Sequence, residues 1–324
     1  MSVQVYIADH TPEGGILRCL LSPNGKLELL EKYSMDRPAY MCADGDSLYV
    51  LLREPFMMQS GIVRFDIAPD GRLSRASDVQ PVHGAVAAHI LAVDGRVYCA
   101  NYLSGSTILM PDRLIAHNGS GPHPQRQRCS HPHCVTASPD GKYICITDLG
   151  TDSIYICTPQ LEIISRFSMP PGSGPRHLVF SQDGLYAYCS NELDCSVSVL
   201  KYTGGAFEYL GTYPIIPGTA GPEDSACAIG LSSGGRRLLV STRSYGSIAV
   251  FRIRGGELDF DGEYRLPGAW IRDFGLYGDF ILCGDEQRGR VLVYSEKAGY
   301  DAAPLDVLPV AKPWCILVRE IPGL

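Results

Sequence analysis

Two stretches of the sequence repeat one pattern: HCVTASPDGKYICITDLGTDSIYIC at residues 133–157 and RHLVFSQDGLYAYCSNELDCSVSVL at residues 176–200. In each stretch a short apolar run leads into a turn that ends in Asp-Gly, and two further β-prone runs follow it. Short apolar runs between turn signals are typical of antiparallel strands. The pattern therefore predicts β-hairpins that recur along the chain.

The same kind of turn occurs six times, and its glycines lie 43 to 51 residues apart. These glycines are Gly45, Gly95, Gly141, Gly184, Gly235 and Gly278. A second, more polar series of seven turns lies between them, near Gly25, Gly71, Asp112, Gln160, Gly204, Gly255 and Gly299. Two hairpins per repeat, at a period near 45 residues, are typical of the four-stranded blades of a β-propeller.

The unequal counts of the two series, six and seven, predict how the ring closes. Seven blades fit the chain of 324 residues if residues 313–318 pair with residues 3–8 to form the missing inner hairpin. We therefore predict an all-β fold: one seven-bladed β-propeller domain over residues 1–324, with four antiparallel strands per blade. A β-sandwich is the alternative, but it explains neither the spacing nor the unequal counts.

Composition excludes several classes of protein. Apolar residues make up 45% of the chain and the net charge is −7, without a dense Lys/Arg segment, so we expect a large core and no nucleic-acid partner. The chain does not start with a signal-peptide pattern, and no apolar run approaches the roughly 20 residues of a membrane span. We therefore expect a cytoplasmic protein without membrane association. Its 12 cysteines form no C-x-x-C pair, which predicts reduced thiols, and several in strand-like runs, among them Cys99, Cys145, Cys189 and Cys283, are expected to act as small buried hydrophobes.

Polar residues recur at one end of the inner hairpins, because residues equally far before and after a turn lie side by side. Eight residues before the inner-turn glycines are Arg37, His133, Arg176, Cys227 and Trp270, with Arg272 two positions beyond Trp270. Seven or eight residues after them are Arg53, Asp148, Asn191, Glu192, Arg243, Asp285 and Glu286. Strand ends are commonly charged because they are solvated. The joint occurrence of His133, Arg176, Glu192 and Arg243 on adjacent blades is the stronger indication of a site at the channel rim.

The segment HNGSGPHPQRQRCSHPH at residues 117–133 is too irregular for a strand and too long for a tight turn. We expect it to lie over the same rim, where His123, Arg126 and Arg128 would add positive potential. His131-Pro-His133 has the H-x-H spacing seen in zinc sites, but no convincing third ligand follows. We therefore predict no metal site.

Three segments carry a resemblance to a known family: residues 121–154, residues 172–200 and STRSYGSIAVF at residues 241–251. They resemble the lactonase family of seven-bladed propellers, which includes bacterial cycloisomerase-like 6-phosphogluconolactonases and fungal carboxymuconate lactonising enzymes. The family pattern GPR-H with a following NEL is present at residues 174–177 and 191–193. The resemblance implies a site formed by His133, Arg176, Glu192 and Arg243.

The reaction that the resemblance implies is hydrolysis of 6-phosphogluconolactone, a step of the oxidative pentose phosphate route. His133 and Glu192 would carry acid–base chemistry, and Arg176 and Arg243 would bind the anionic substrate. Further substrate contacts are expected from Arg272, His131 and Arg126. No cofactor is implied; the partner would be a small anionic sugar lactone, and the protein a monomer or weak homo-oligomer. A muconate cycloisomerase on the same site and a non-catalytic propeller scaffold are the alternatives.

Overall fold

A computed structural model describes residues 3–320, whose strands form seven antiparallel sheets. The innermost strand of each sheet packs against the innermost strands of the two neighbouring sheets, and this series of contacts closes on itself. The fold is therefore the predicted seven-bladed propeller. Blades 1 to 6 follow the chain, and blade 7 combines strands from both ends.

Within each blade the strands follow one another from the channel outward. In that order they are: blade 1, β4 (Pro38–Asp44), β5 (Ser47–Phe56), β6 (Gln59–Ile67) and β7 (Leu73–Arg75); blade 2, β9 (Ala87–Val93), β10 (Arg96–Asn101), β11 (Ser106–Leu109) and β12 (Arg113–Ala116); blade 3, β13 (Pro132–Ala137), β14 (Ile144–Asp148), β15 (Ser153–Cys157) and β16 (Ile163–Ser168); blade 4, β17 (Pro175–Phe180), β18 (Tyr186–Asn191), β19 (Ser196–Thr203) and β20 (Ala206–Pro214); blade 5, β21 (Ser225–Leu231), β22 (Arg237–Arg243), β23 (Ser247–Arg254) and β24 (Glu257–Arg265); blade 6, β25 (Ile271–Tyr277), β26 (Phe280–Asp285), β27 (Arg290–Ser295) and β28 (Asp306–Pro309); blade 7, β29 (Pro313–Arg319), β1 (Val3–Asp9), β2 (Gly15–Leu21) and β3 (Leu27–Ser34). Blade 1 departs from the four-strand prediction by one additional strand, β8 (Gln80–Ala85), which pairs with β6. Two short 3-10 helices cover Leu149–Thr151 and Glu296–Ala298.

Ring closure occurs as the turn counts predict. Strand β29 pairs antiparallel with β1, with Val5 opposite Val318 and Ile7 opposite Ile316. This pairing places the innermost strand of blade 7 at the opposite end of the chain from its other three strands. A closed ring leaves no inner sheet edge exposed to another chain.

Hydrophobic clusters fill the space between every two neighbouring blades. Between blades 3 and 4, for example, Cys145 and Ile154 pack against Leu178 and Cys189. All 12 cysteines are free thiols and ten of them are buried, including Cys99, Cys145, Cys189 and Cys283, which confirms the expected role of these four as small hydrophobes. None of the helices within residues 3–320 has the length and apolarity required to cross a membrane.

Each innermost strand has a β-bulge near its start, where one residue is skipped in the ladder to the next strand, except in blade 5, where both Cys227 and Ala228 are skipped opposite Ser241. We call the first skipped residue of each blade, taken together, the inner ring: Ala39, Ala88, His133, Arg176, Cys227, Arg272 and Trp314, from blade 1 to blade 7. A bulge bends the strand and redirects a side chain. The bulges therefore determine which side chain each blade presents at one end of the channel.

A second set of side chains surrounds the inner ring. In each blade, the residue just before the bulge pairs with a residue of the second strand. The residue that follows this partner in the sequence belongs to a set that we call the outer ring. It consists of Arg53, Tyr102, Leu149, Glu192, Arg243, Glu286 and His10, again from blade 1 to blade 7.

Candidate active site

The two rings converge on a cavity of about 170 Å³ at the channel mouth, which we call the inner cavity. It is lined by Arg53, Val86, Ala88, Tyr102, Arg126, His133, Glu192, Arg243 and Arg272. All but Val86 and Arg126 of these residues belong to the inner or outer ring. The blade architecture thus brings together most of the predicted site residues.

Glu192 binds three arginines, which form a cluster around its carboxylate. Its Oε1 atom lies 2.5 Å from Arg126 Nη2 and 3.0 Å from Arg243 Nη2, and its Oε2 atom lies 3.1 Å from Arg176 Nε. Burial alone would raise the pKa of this carboxyl, but the charges of Arg243, Arg176 and Arg126 outweigh burial and hold the pKa well below its usual range. Glu192 is therefore ionised at neutral pH.

Arg176 lies behind this cluster and does not line the inner cavity, although the sequence predicted a substrate contact. Its side chain is only 3% exposed. Besides Glu192 it binds His177, whose Nε2 lies 3.0 Å from Arg176 Nη1. Because guanidinium groups only donate, Nε2 accepts this bond and His177 is neutral with its proton on Nδ1. Arg176 thus holds the Glu192 carboxylate in place from behind the residues that line the inner cavity.

His133 faces the inner cavity from the inner ring of blade 3. Its ring centroid lies 5.8 Å from Tyr102 and 5.3 Å from His177, both in edge-on arrangements. Burial, and then the charges of Arg176 and Arg272, hold the pKa of His133 well below 6.5. The imidazole is therefore neutral at pH 7 and able to accept a proton from a bound water.

Arg126 reaches the inner cavity from the irregular segment, which lies at the channel rim as predicted. Arg126 Nη2 also donates to the Tyr102 hydroxyl at 3.3 Å. The next residue, Gln127, is fully buried, and its Nε2 donates to the Leu149 carbonyl at 2.8 Å. This buried amide fixes the backbone immediately beside Arg126.

His131 does not line the inner cavity, in contrast to its predicted role as a substrate contact. Its ring stacks on Tyr102 with centroids 4.4 Å apart, and its Nδ1 lies 2.9 Å from the Tyr102 carbonyl oxygen. The bulge at His133 interrupts the strand alternation that the H-x-H interpretation assumed. Within residues 3–320 no group of three or more His, Cys, Asp or Glu side chains has the geometry to hold a metal ion.

Two acidic rim positions identified from the sequence have structural contacts instead of facing the cavity. Asp148 accepts hydrogen bonds from Ser130 Oγ at 2.5 Å and from the His131 backbone at 2.7 Å. Asp285 binds Arg288 and Arg290 at 3.3 and 3.2 Å. These carboxylates hold the loops that surround the site.

The rim positions predicted from the sequence do not include Tyr102, His89 or His177. Tyr102 occupies the outer-ring position of blade 2, so counting seven residues on from Gly95 would have identified it. His89 and His177 directly follow inner-ring residues, and their rings lie 5.4 Å apart below the cavity. The sequence pattern does not indicate that these two rings lie close together, because their positions depend on the bulges at the preceding residues.

A second cavity of about 310 Å³, the outer cavity, adjoins the first. Arg126, Glu192 and Arg243 line both cavities. The outer cavity also contains Trp270, which the sequence placed on the same rim as Arg37. Arg37 lines neither cavity, and its nearest carboxylate is that of Asp36 at 3.6 Å.

Comparisons with known proteins agree with this architecture. The family model "Lactonase, 7-bladed beta-propeller" matches residues 4–299. A Staphylococcus epidermidis protein of uncharacterised function is 30% identical over 307 residues, covering 87% of this chain and 89% of that protein. A candidate 6-phosphogluconolactonase from Bacteroides fragilis superposes with a TM-score of 0.89 at 26% identity, covering 98% of both chains. The periplasmic gluconolactonase of Pseudomonas aeruginosa also gives a TM-score of 0.89, at 25% identity, covering 99% of this chain and 100% of that one.

Proposed function

Because the chain belongs to the Lactonase, 7-bladed beta-propeller family, we propose that it hydrolyses an anionic sugar lactone, 6-phosphoglucono-1,5-lactone, to 6-phosphogluconate. The observation that carries this proposal is the convergence of a neutral imidazole and several guanidinium groups in one cavity. A lactone hydrolase needs a base for water and a fixed positive charge for the carbonyl oxygen. His133 and Arg243 meet these two needs within the inner cavity.

The reaction starts with a water molecule between His133 and the lactone carbonyl carbon. His133 takes a proton from this water as its oxygen attacks the carbonyl, which forms a tetrahedral oxyanion. The imidazolium and the oxyanion arise together, so the net charge of the cavity does not change. This pairing allows a histidine in cationic surroundings to act as a base.

Arg243 stabilises the oxyanion in this proposal. Its guanidinium binds Glu192 at 3.0 Å through Nη2 and Ser225 Oγ at 3.0 Å through Nε, which leaves further N–H donors for a ligand. A donor that is already oriented needs no reorganisation as the negative charge develops. Glu192 and Arg176 act in this scheme as positioning residues.

Collapse of the intermediate breaks the bond between the carbonyl carbon and the ring oxygen. His133 returns its proton to that oxygen, which yields a carboxylic acid and a free hydroxyl group, and the acid then releases its own proton to solvent to become the carboxylate. The low pKa of His133 favours this second transfer, because an imidazolium with a low pKa is a strong proton donor. The neutral base is restored without a cofactor.

The test is hydrolysis of 6-phosphoglucono-1,5-lactone with the spontaneous rate subtracted. Arg243→Gln should lower kcat about 100-fold or more, the usual effect of removing an oxyanion donor. Arg236→Gln is the matched control, because Arg236 is an exposed arginine beside the inner turn of blade 5. Hydrolysis no faster than background by the folded wild type would refute the proposal, and lactone formation from a muconate would replace it with the cycloisomerase alternative.

A further inference from the structure

The four arginines that line the inner cavity differ in how their charges are balanced. Arg126 and Arg243 both bind Glu192 Oε1. For Arg53 and Arg272, in contrast, no carboxylate oxygen within residues 3–320 lies closer than 4.0 Å. Two guanidinium groups of the cavity therefore lack an anionic partner in direct contact.

Both of these arginines lie against the ring of Trp314. Arg272 Cζ lies 3.8 Å from its centroid and Arg53 Cζ lies 5.2 Å from it. His10 stacks on Trp314 with centroids 3.4 Å apart and planes inclined by 12°, so one face is covered and Arg272 takes the other. An aromatic face holds a guanidinium in place without neutralising it.

The unpaired arginines and the proposed catalytic groups come from different sides of the channel. Arg272, Trp314 and Arg53 belong to blades 6, 7 and 1. His133 and Glu192 belong to blades 3 and 4. A ligand in the inner cavity can therefore present one group to His133 and another to the arginines on Trp314.

We propose that Arg53 and Arg272, held against Trp314, bind the phosphate group of the substrate. This inference rests on the proposed function and adds to it the part of the site that distinguishes a phosphorylated lactone from an unphosphorylated one. A guanidinium presents two parallel donors that match two phosphate oxygens. A phosphate dianion would also balance the two charges that the protein leaves unpaired.

The electrostatics of the surroundings support this assignment. Burial, together with repulsion from Arg176 and Arg243, lowers the pKa of Arg272 to about 10, so it stays charged at neutral pH. The negative charge of Glu286 attracts both Arg53 and Arg272 from a distance of more than 4.0 Å, and the charge of Glu54 attracts Arg53. Glu54 is exposed, so solvent screens its charge and an excess of positive charge remains at Trp314.

The experiment compares kcat/KM for 6-phosphoglucono-1,5-lactone and glucono-1,5-lactone in the wild type, Arg53→Met and Arg272→Met. The ratio of the two values should fall about 10- to 100-fold in each variant, because charge-assisted hydrogen bonds to the phosphate are lost. Arg53→Lys, which keeps the charge, should restore part of the ratio. Arg236→Gln controls for the loss of a remote arginine, and circular dichroism verifies folding.

A second measurement does not depend on catalysis: calorimetric titration with inorganic phosphate. The wild type should bind phosphate, and Arg53→Met and Arg272→Met should bind it at least about tenfold more weakly. If both lactones lose activity equally, or if phosphate affinity is unchanged, the inference is wrong. If the wild type binds phosphate in this manner but hydrolyses neither lactone, the proposed function fails and the anion site stands.

Discussion

Asp152 Oδ1 accepts a hydrogen bond from Gln127 Nε2 at 2.7 Å and a second from the Gly174 backbone at 2.8 Å. Its other oxygen, Oδ2, accepts from the Gly172 backbone at 2.7 Å. Gln127 adjoins Arg126, and Gly174 lies two residues before Arg176. One buried carboxylate therefore connects the two loops that lead to two of the three arginines on Glu192.

Replacing Asp152 by Ala should loosen both loops. We expect KM for the lactone to rise about 10-fold, with a smaller change in kcat, because several buried donors lose their acceptor at about 1–3 kcal/mol each. Amide hydrogen exchange should accelerate in residues 118–128 and 170–175. Asp140→Ala is the control: Asp140 binds Ser138 and Lys142 in an exposed turn outside both cavities. Unchanged exchange in both loops would contradict the linking role.

The pH dependence of turnover tests His133 as the base. A base acts while deprotonated, and the pKa of His133 in the ligand-free protein lies well below 6.5, so kcat/KM should stay level from pH 8 to below 6.5 and fall only at more acidic pH. His133→Ala should lower kcat about 100- to 10,000-fold. A fall in activity centred at pH 6.5 or above would count against the assignment, as would turnover that the substitution does not change.

Glu192→Gln should destabilise the fold as well as the site. Removing the carboxylate leaves three guanidinium groups without their shared anion, and breaking a buried ion pair costs about 3–5 kcal/mol of the free energy of unfolding. Denaturant titration measures this difference, and Glu223→Gln, an exposed carboxylate of the outer cavity, is the control.

The same substitution has a pH signature. Because the pKa of Glu192 is lowered from 4.5 in the folded protein, its contribution is complete above about pH 4.5 and declines as the pH falls towards the folded value. The stability difference between wild type and Glu192→Gln should therefore shrink below that pH. A difference that is constant down to strongly acidic pH would show that Glu192 is not held as a carboxylate.

Thiol titration tests the packing of the blades. Cys129 is the exposed cysteine, Cys42 is half-buried and the other ten are buried. Burial also raises the pKa of the Cys19 and Cys157 thiols to about 12, which slows their reaction further. We expect one fast-reacting thiol in the native protein, its loss in Cys129→Ser, and 12 in denaturant. Several fast thiols in the native protein would argue against the tight inter-blade packing.

The fold was predictable because turn residues report directly on hairpins. Glycines such as Gly141, with φ of 69°, adopt a left-handed conformation that other residues avoid, so their spacing reveals the period of the blades. The pairing of β1 with β29 followed from the counts alone. The additional strand β8 did not, because it pairs away from the repeating pattern.

The site was predictable only where the turns have equal length. Strands β13, β17 and β21 end four residues before their glycine, and there a count of eight reaches His133, Arg176 and Cys227. Strands β4 and β25 end directly before their glycine, so the same count overshoots the inner ring by two residues. Arg272 is therefore a ring residue and Trp270 is not. The stacking of His10, Trp314 and Arg272 depends on side-chain rotamers, which the sequence pattern does not encode.

The bulges have an evolutionary consequence. Ala88, His133 and Arg272, the inner-ring residues that line the inner cavity, are released from the ladder while their neighbours stay paired, so a mutation there changes the ligand-facing group without disturbing strand register. Ala39 and Ala88, on two adjacent blades, show that a ring position tolerates the smallest side chain with a Cβ. Descendants of one ancestral propeller could acquire new substrates through single codon changes at these positions, while inheriting the scaffold intact.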